Sequence, residues 1–417
     1  MKKFVIEGGK KLEGTTYVSG SKNASLPIIA ATLLNKGINK LYNVPNIHDT
    51  KMMFKILEGL GCKVKKTNGK IVIDSRNITN YEIPDNLMSQ MRSSVIIAGA
   101  LLSRSKKVTF TYPGGCDIGS RPIDLHIKAF EKLGINVKEE FGELVCTADE
   151  IVGTDINLDF PSVGATENIM LASVLAKGTT KINNAAMEPE IIDLQNALNS
   201  MGAKVSGAGT NNIIIKGVEK LQDLSYNIIP DRIEAGTLLC ATAITGGNIT
   251  LKKVIPEHID TLIKKLEEMG CEISISKNEI ILKSPKRLKA VDIKTLPYPG
   301  FPTDLQSILG SVLTVAKGTS IIIENIFENR YKYLNELTKM GAKTTIEGRT
   351  AVIKGIKRLN KSKVKATDLR GGAALVIAAL NAKGRTYIDN IEYILRGYEN
   401  LDLKLRSLGA NIYIEEG

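Results

Sequence analysis

The chain has 417 residues, 43% hydrophobic and 24% charged, the balance of a folded protein with two or three domains. Its 56 basic and 44 acidic residues give a net charge of +12, which suits anionic small molecules or nucleic acid. Five cysteines form no CxxC pair and no metal-ligand spacing with the three histidines, which argues against a zinc site and for a reducing compartment.

The opening stretch MKKFVIEGGKKLEG holds no apolar run long enough for a signal peptide. Apolar stretches such as LPIIAATLL (26–34) fall well short of the roughly 18 residues a membrane span needs. A cytoplasmic protein with no membrane partner is expected. Basic runs stop at pairs such as Lys10-Lys11 and Lys106-Lys107, with no aromatic interleaving, so a nucleic-acid groove is not expected either.

Six similar segments follow one another, ending in GLGCKV, KLGINV, SMGAKV, EMGCEI, KMGAKT and SLGANI. Their second glycines are Gly61, Gly134, Gly202, Gly270, Gly341 and Gly409, spaced by 73, 68, 68, 71 and 68 residues. Each segment starts with a helix that is apolar nearly all round and so is expected to be buried: 24–34, 94–102, 165–175, 233–243, 305–315 and 372–380. A short alternating strand follows, as in TLKKV (250–254). Next comes an amphipathic helix such as 259–269, with Leu262, Ile263, Leu266 and Met269 on one face, ended by the tag's glycine at its C-cap. A hairpin closes the segment, with turn residues such as Asn68-Gly69 and Lys277-Asn278. The sixth segment is one strand short, and FVIEGGKKLEG near the start matches the missing piece, as do NIIIKGVEKLQ and AVIKGIKRLN in other segments. Two domains are therefore expected: 22–229 with segments one to three, and 1–21 together with 230–417 with segments four to six.

Polar residues gather just before the six apolar helices, in SGSKNAS (Lys22, Asn23), LMSQMRS (Arg92), FPSVGAT (Ser162, Val163, Gly164), IIPDRIE (Asp231, Arg232), PGFPTDL (Asp304) and ATDLRGG (Asp368, Arg370). A helix N-terminus offers unbonded N–H groups and a partial positive charge, hence an anion site. Parallel helices would bring these starts to one cleft between the domains, lined by Lys22, Arg92, Arg121, Arg232, Arg370, Arg330 and Arg396. Asp231, Asp304 and Asp368 all read as helix caps, Asp368 most readily, and for Asp304 a cap and a site role stand level, since it lies in a Gly/Pro-rich loop that a plain cap does not require. His48, His126 and His258 read as ordinary polar residues at helix starts, with a place close to the site as the alternative for His126, ten residues after Cys116. Cys62, Cys146, Cys240 and Cys271 fall in strands or a buried helix and read as inert core.

The loop PGGCDIGSRP (113–122) differs from the rest, with three glycines, two prolines, one cysteine and one arginine. Glycines let the backbone approach a ligand, and a neighbouring cation lowers a thiol's pKa. Cys116 beside Arg121 is thus a candidate acid, base or nucleophile near an anionic substrate.

The chain closely resembles the enolpyruvyl transferase family over essentially its whole length, through SGSKNA (19–24), GGCDIGSRPIDLH (114–126), FPSVGATEN (160–168), FPTDLQ (301–306) and DLRGGAA (368–374). The cysteine loop is the specific signal, since the member that transfers enolpyruvyl to shikimate 3-phosphate lacks it. The resemblance implies an α/β fold of two domains. Each would be an inside-out α/β barrel of three βαβαββ repeats, helices inside and sheets outside, with the active site in the cleft between them. It implies transfer of the enolpyruvyl group of phosphoenolpyruvate to the 3′-hydroxyl of UDP-N-acetylglucosamine with release of phosphate, the first committed step of peptidoglycan synthesis. No metal or organic cofactor and covalent inhibition by fosfomycin are further implications; the sequence itself does not fix the oligomeric state, and a monomer is the favoured expectation.

Residue by residue, the resemblance makes Cys116 the acid that protonates C3 and Asp304 the base for the sugar hydroxyl, with Lys22 also catalytic. Lys22, Arg121 and Arg396 would hold the phosphate of phosphoenolpyruvate, and Arg330 and Arg370 its carboxylate, with Asn23 close by. UDP-N-acetylglucosamine would meet Asn23, Arg92, Arg121, Pro122, Ile123, Asp124, Leu125, Ser162, Val163, Gly164, Asp304 and Ile326. A binding-only protein stays open as another class: βαβ-type repeats around a basic cleft could hold an RNA end or sense a nucleotide. Neither role needs a reactive cysteine between glycines and an arginine.

Overall fold

The computed structural model describes residues 2–67, 69–88, 90–112, 114 and 123–416. The chain divides into two compact units. Among the described residues, one combines 2–19 with 230–416, and the other holds those between 20 and 229. The switch after Ser19 comes two residues before the expected boundary at 21/22. The local reason is that Ser21 belongs with the helix it starts: its hydroxyl accepts the Ala24 N–H, and its own N–H donates to the Ile229 carbonyl at 2.7 Å.

Six apolar helices run through the cores: Lys22–Ala31 (α1), Ile96–Ser105 (α2) and Val163–Ser173 (α3) in one unit, Arg232–Thr245 (α4), Thr303–Leu313 (α5) and Leu369–Asn381 (α6) in the other. They are buried all round, as their lack of a polar face demands; in α6 every residue from Leu369 to Leu380 is buried. All but α2 start one to three residues earlier than the apolar pattern suggests, and α2 is preceded by the 3₁₀ turn Arg92–Val95. Lys22, Asn23, Val163, Gly164, Arg232, Asp304 and Arg370 therefore lie in first turns, while Ser162, Asp231 and Asp368 are N-caps and Arg92 opens the 3₁₀ turn.

Around each helix set stand three separate sheets among the described residues. The repeat is plain near α5. Ile293–Lys294 runs parallel to Thr319–Ile323, which pairs antiparallel with Thr350–Lys354, itself the hairpin partner of Lys343–Glu347. Amphipathic helices cover the cores, as in Asp260–Glu268, where Leu262, Ile263 and Leu266 are buried. The six tag glycines all take positive φ, from +84° to +104°, the conformation that ends those helices. The strand Lys2–Glu7 lies between Arg385–Asp389 and Asn411–Glu416, where the sixth segment lacks a strand. The units also trade leading strands: Glu13–Tyr17, ahead of α1 in sequence, pairs with Asn248–Lys252, and Ser225–Asn227, ahead of α4, pairs with Ile38–Tyr42.

One hydrogen bond recurs in all six repeats. The N–H after the last hairpin strand donates to the carbonyl that leads into the first: Gly8 to Gly384, Ser75 to Gly37, Ala148 to Lys106, Gly217 to Gly178, Ser284 to Gly247 and Gly355 to Gly318, at 2.9–3.3 Å. This crossing presses on the C-terminal ends of the buried helices. At Gly355 an added Cβ would lie 1.6 Å from the Ala316 carbonyl oxygen. Ser75 and Ser284 use their hydroxyls there, donating to Asn35 O and Ala243 O. Asn381 Nδ2 donates to Ile244 O and Arg358 Nε to Asn381 O at helix ends, and Arg104 Nη1 to Leu33 O and Asn35 O just past α1 and to Ser75 O on the crossing segment, so side chains satisfy carbonyls at and beyond these helix ends.

Near the end of the 20–229 unit, buried Asp193 accepts the Tyr226 hydroxyl at 2.6 Å and the Ile229 N–H at 3.4 Å. Burial outweighs these bonds and raises its pKa to about 6. The folded value lies above the unfolded one, so stability from this group is full below pH about 4 and is lost as pH rises to about 6. Relative to Asp193→Asn, the native protein is expected to lose on the order of 2–3 kcal/mol between those limits, read from urea unfolding at several pH values. Parallel profiles for the two proteins would refute this.

Candidate active site

In the unit holding α4 to α6, three helix starts converge. Asp304, in the first turn of α5, accepts from Arg330 Nη2 at 3.0 Å through Oδ1, and from Arg370 Nη2 at 3.0 Å and Nε at 3.2 Å through Oδ2. The Arg330 and Arg370 side chains are 3% and 4% exposed and the Asp304 side chain 28%, so the carboxylate is the open side of the triad. Arg370 also stacks its guanidinium 5.3 Å from the Tyr398 ring centre, and Asp231 at the start of α4 adds to its field. Burial opposes its charge, but Asp304 and the surrounding groups more than offset this, so its pKa is raised. Asp231 and Asp368 cap α4 and α6, each taking two backbone N–H groups. Asp304 is not a cap, which decides between its two readings: Pro302 holds the N-cap position of α5, with no side-chain cap bond.

Glu324 builds the floor of this site. Fully buried, it accepts the hydroxyls of Thr295 and Thr303 and the N–H groups of Ile326 and Phe327. It thereby ties Ile326, expected at the sugar nucleotide, to the start of α5. Arg396 stands at the C-cap of Glu392–Leu395, half-buried. Its neighbour Gly397 lies so close to Leu369 that a Cβ would meet Leu369 Cδ1 at 2.5 Å, which sets this segment against the start of α6.

In the other unit Lys22, the first residue of α1, bonds its ammonium to buried Asp49 at 2.8 Å, with His48 Nδ1 at 3.7 Å from the same carboxylate. Asn23 is half-buried beside it. Ser162 caps α3, and Val163 and Gly164 form its first turn. Ile123 precedes the helix Asp124–Lys132, buried, while Asp124 is exposed and Leu125 half-buried. His126 on that helix corrects the expectation of an ordinary polar residue, because it is 7% exposed and its pKa falls to about 4, chiefly through burial and then through Arg92. Asn168 accepts the Gly99 N–H and donates to Val95 O, so its amide also donates to His126 Nδ1 at 2.9 Å. The neutral ring then carries its proton on Nε2, on the side of Gly164, where a Cβ would lie 3.7 Å away.

A model of the EPSP synthase (3-phosphoshikimate 1-carboxyvinyltransferase) family matches residues 6–405. The chain is 55% identical to UDP-N-acetylglucosamine 1-carboxyvinyltransferase 2 of Caldanaerobacter subterraneus subsp. tengcongensis, covering 99% of each. It is 49% identical to the UDP-N-acetylglucosamine 1-carboxyvinyltransferase of Clostridium botulinum, again over 99% of each. The chain belongs to the EPSP synthase (enolpyruvyl transferase) family. Its fold agrees with that of the enolpyruvyl transferase NikO from Streptomyces tendae, with TM-score 0.88, 24% identity and coverage of 100% of this chain and 99% of the other. EPSP synthase from Acinetobacter baumannii follows at TM-score 0.77 and 18% identity, covering 100% of both chains. The α/β fold that the resemblance implies is thus the family's fold.

Of the family's expected residues, Cys116, Arg121 and Pro122 lie outside the described residues. Asp304, Arg330 and Arg370 come together; Lys22 and Asn23 stand side by side, as do Gly164 and His126. Sequence reasoning missed Asp49, Glu324 and the role of Asn168, because each earns its place through a tertiary partner that no local pattern names. Cys62, Cys146 and Cys271 are buried thiols pushed up to about 11, 12 and 12, and Cys240 is raised too, all mainly by burial, which suits inert core. Among the described residues no three His, Cys, Asp or Glu side chains gather as metal ligands.

Proposed function

We propose that this protein transfers the enolpyruvyl group of phosphoenolpyruvate to the 3′-hydroxyl of UDP-N-acetylglucosamine and releases inorganic phosphate, the first committed step of peptidoglycan synthesis. The observation that carries the chemistry is the pair of buried guanidiniums, Arg330 and Arg370, meeting one carboxylate at converging helix starts. Two rigid donor forks suit a planar carboxylate, and a carboxylate among them at the edge of the site suits a base. Full-length identity to enzymes named for UDP-N-acetylglucosamine favours that acceptor over shikimate 3-phosphate.

In this reading Cys116 gives its proton to C3 of phosphoenolpyruvate, which makes C2 cation-like. The sugar oxygen bonds to C2 as Asp304 takes the hydroxyl proton. Asp304 passes that proton to the departing phosphate and then takes a C3 proton, so that phosphate leaves C2 and the enol double bond is restored. Lys22, Arg121 and Arg396 hold the phosphate, Arg330 and Arg370 the carboxylate, and Asn23 and Asp304 the sugar. Arg92, Arg121–Leu125, Ser162–Gly164 and Ile326 cradle uridine and diphosphate. No metal or cofactor enters, one chain suffices, and the cytoplasm supplies both substrates.

The test is phosphate release from phosphoenolpyruvate with either acceptor. Release is expected with UDP-N-acetylglucosamine and not with shikimate 3-phosphate; the reverse would assign the protein to the other branch. Fosfomycin, incubated together with UDP-N-acetylglucosamine, is expected to add its mass to the peptide carrying Cys116. Label on any other cysteine, or none, would remove Cys116 from the mechanism.

A further inference from the structure

We infer that Asp304 is a resident counter-anion which the carboxylate of phosphoenolpyruvate must displace, and that this displacement is what hands the base to the sugar. The inference rests on the function proposed above and deepens it. Asp304 engages both arginines at once, with three hydrogen bonds of 3.0–3.2 Å. The guanidiniums are almost wholly buried, and only Asp304 has an open side. A substrate carboxylate that reaches Arg330 and Arg370 therefore competes with Asp304 for the same donors.

The two arginines also hold donors that Asp304 does not use. Arg330 Nε and Arg370 Nη1 are buried and make no hydrogen bond among the described residues. Buried donors of this kind are costly to leave unmade. One aspartate, fixed by its backbone in the first turn of α5, cannot cover both forks fully. A free carboxylate can settle between them, and Asp304 then turns its two oxygens toward the only other donor the reaction offers it, the 3′-hydroxyl, whose proton it takes. The order of events follows from charge: phosphoenolpyruvate binding activates the base, and the sugar hydroxyl meets a carboxylate released from the two arginines only when phosphoenolpyruvate is in place.

The experiment is calorimetric titration of phosphoenolpyruvate into two proteins in which Cys116→Ser blocks the chemistry, one with Asp304 and one with Asp304→Asn. Loss of the internal competitor is expected to tighten phosphoenolpyruvate binding by about tenfold or more, the worth of one charge-assisted hydrogen bond. UDP-N-acetylglucosamine binding to the same variant is expected to weaken. Asp304→Glu, which keeps the charge, is expected to stay within about threefold of Asp304 for phosphoenolpyruvate. Should Asp304→Asn fail to fold by circular dichroism, Asp304→Ser removes the same charge and carries the same expectation. Unchanged or weaker binding of phosphoenolpyruvate in the neutral variant overturns the displacement. Failure of the unaltered protein to release phosphate with UDP-N-acetylglucosamine would instead overturn the functional reading, so the two failures are separable.

Discussion

Arg370→Gln is expected to lower kcat/KM for phosphoenolpyruvate by roughly 10²–10³, with the fold intact. Arg370 donates through Nε and Nη2 to one carboxylate oxygen from a position 4% exposed. Truncating one partner of such a buried, charge-assisted pair costs about 2–5 kcal/mol, and each 1.4 kcal/mol is tenfold. Glutamine keeps much of the length and one donor group, so the packing against Tyr398 survives while the charge and the fork do not. The loss should fall mainly on substrate capture if Arg370 holds the ground-state carboxylate, and a matching fall in kcat would place its role in the transition state. Arg385→Gln is the control: this arginine is 52% exposed and pairs with Glu7 at 3.5 Å, a surface contact worth little. Steady-state kinetics within about threefold of the native protein for Arg370→Gln would remove this residue from the site.

Gly355→Ala is expected to cost about 3 kcal/mol or more of stability, near the upper range for a single added methyl. The new Cβ would sit 1.6 Å from the carbonyl oxygen of Ala316 and 2.8 Å from its carbon, so backbone rather than a side-chain tip must move. Two hydrogen bonds hold that backbone, Gly355 N–H to Gly318 O and Ile356 N–H to Thr314 O. For a unit of about 200 residues the melting temperature should fall by about 6–12 °C. Gly348→Ala separates steric from conformational cost: Gly348 has φ +55° and open space around its Cβ position, so about 1–2 kcal/mol is expected there. A melting temperature for Gly355→Ala no lower than that for Gly348→Ala would refute the clash.

Much of the architecture could be read before any coordinates because the repeat writes its own punctuation. The tag glycines end helices in a conformation that other residues adopt at a cost, so Gly61, Gly134, Gly202, Gly270, Gly341 and Gly409 recur with the period of the fold. Helices without a polar face announced their burial. The site was legible where chemistry coincided with the repeat, as at Lys22, Asp304 and Arg370. It was less legible off the repeat. Arg330 directly precedes Tyr331, the N-cap of the amphipathic helix Lys332–Lys339, and so lies outside the six buried-helix starts where the polar residues recur. Glu324 is a lone acid at the end of an apolar strand, and its four partners come from Thr295, Thr303 and the Ile326-Phe327 backbone. Such pairings depend on where three segments meet, which a one-dimensional pattern does not encode. His126 shows the opposite failure, since its position at a helix start suggested an ordinary polar residue while burial and the Asn168 amide make it a neutral donor.

The helices of the 230–417 unit have unlike ends. Asp304, Arg370 and the capping carboxylates stand at one end, whereas Asn381, Ser284, Arg358 and tight glycines tie down the other. Damage should therefore sort by height along the helix axis. A library of substitutions scored for both heat resistance and turnover would split into two populations, slow but sturdy variants from the N-terminal layer and quick but fragile ones from the C-terminal layer. Selection for thermal hardiness could then work on the lower layer for many generations while leaving the catalytic rate almost untouched.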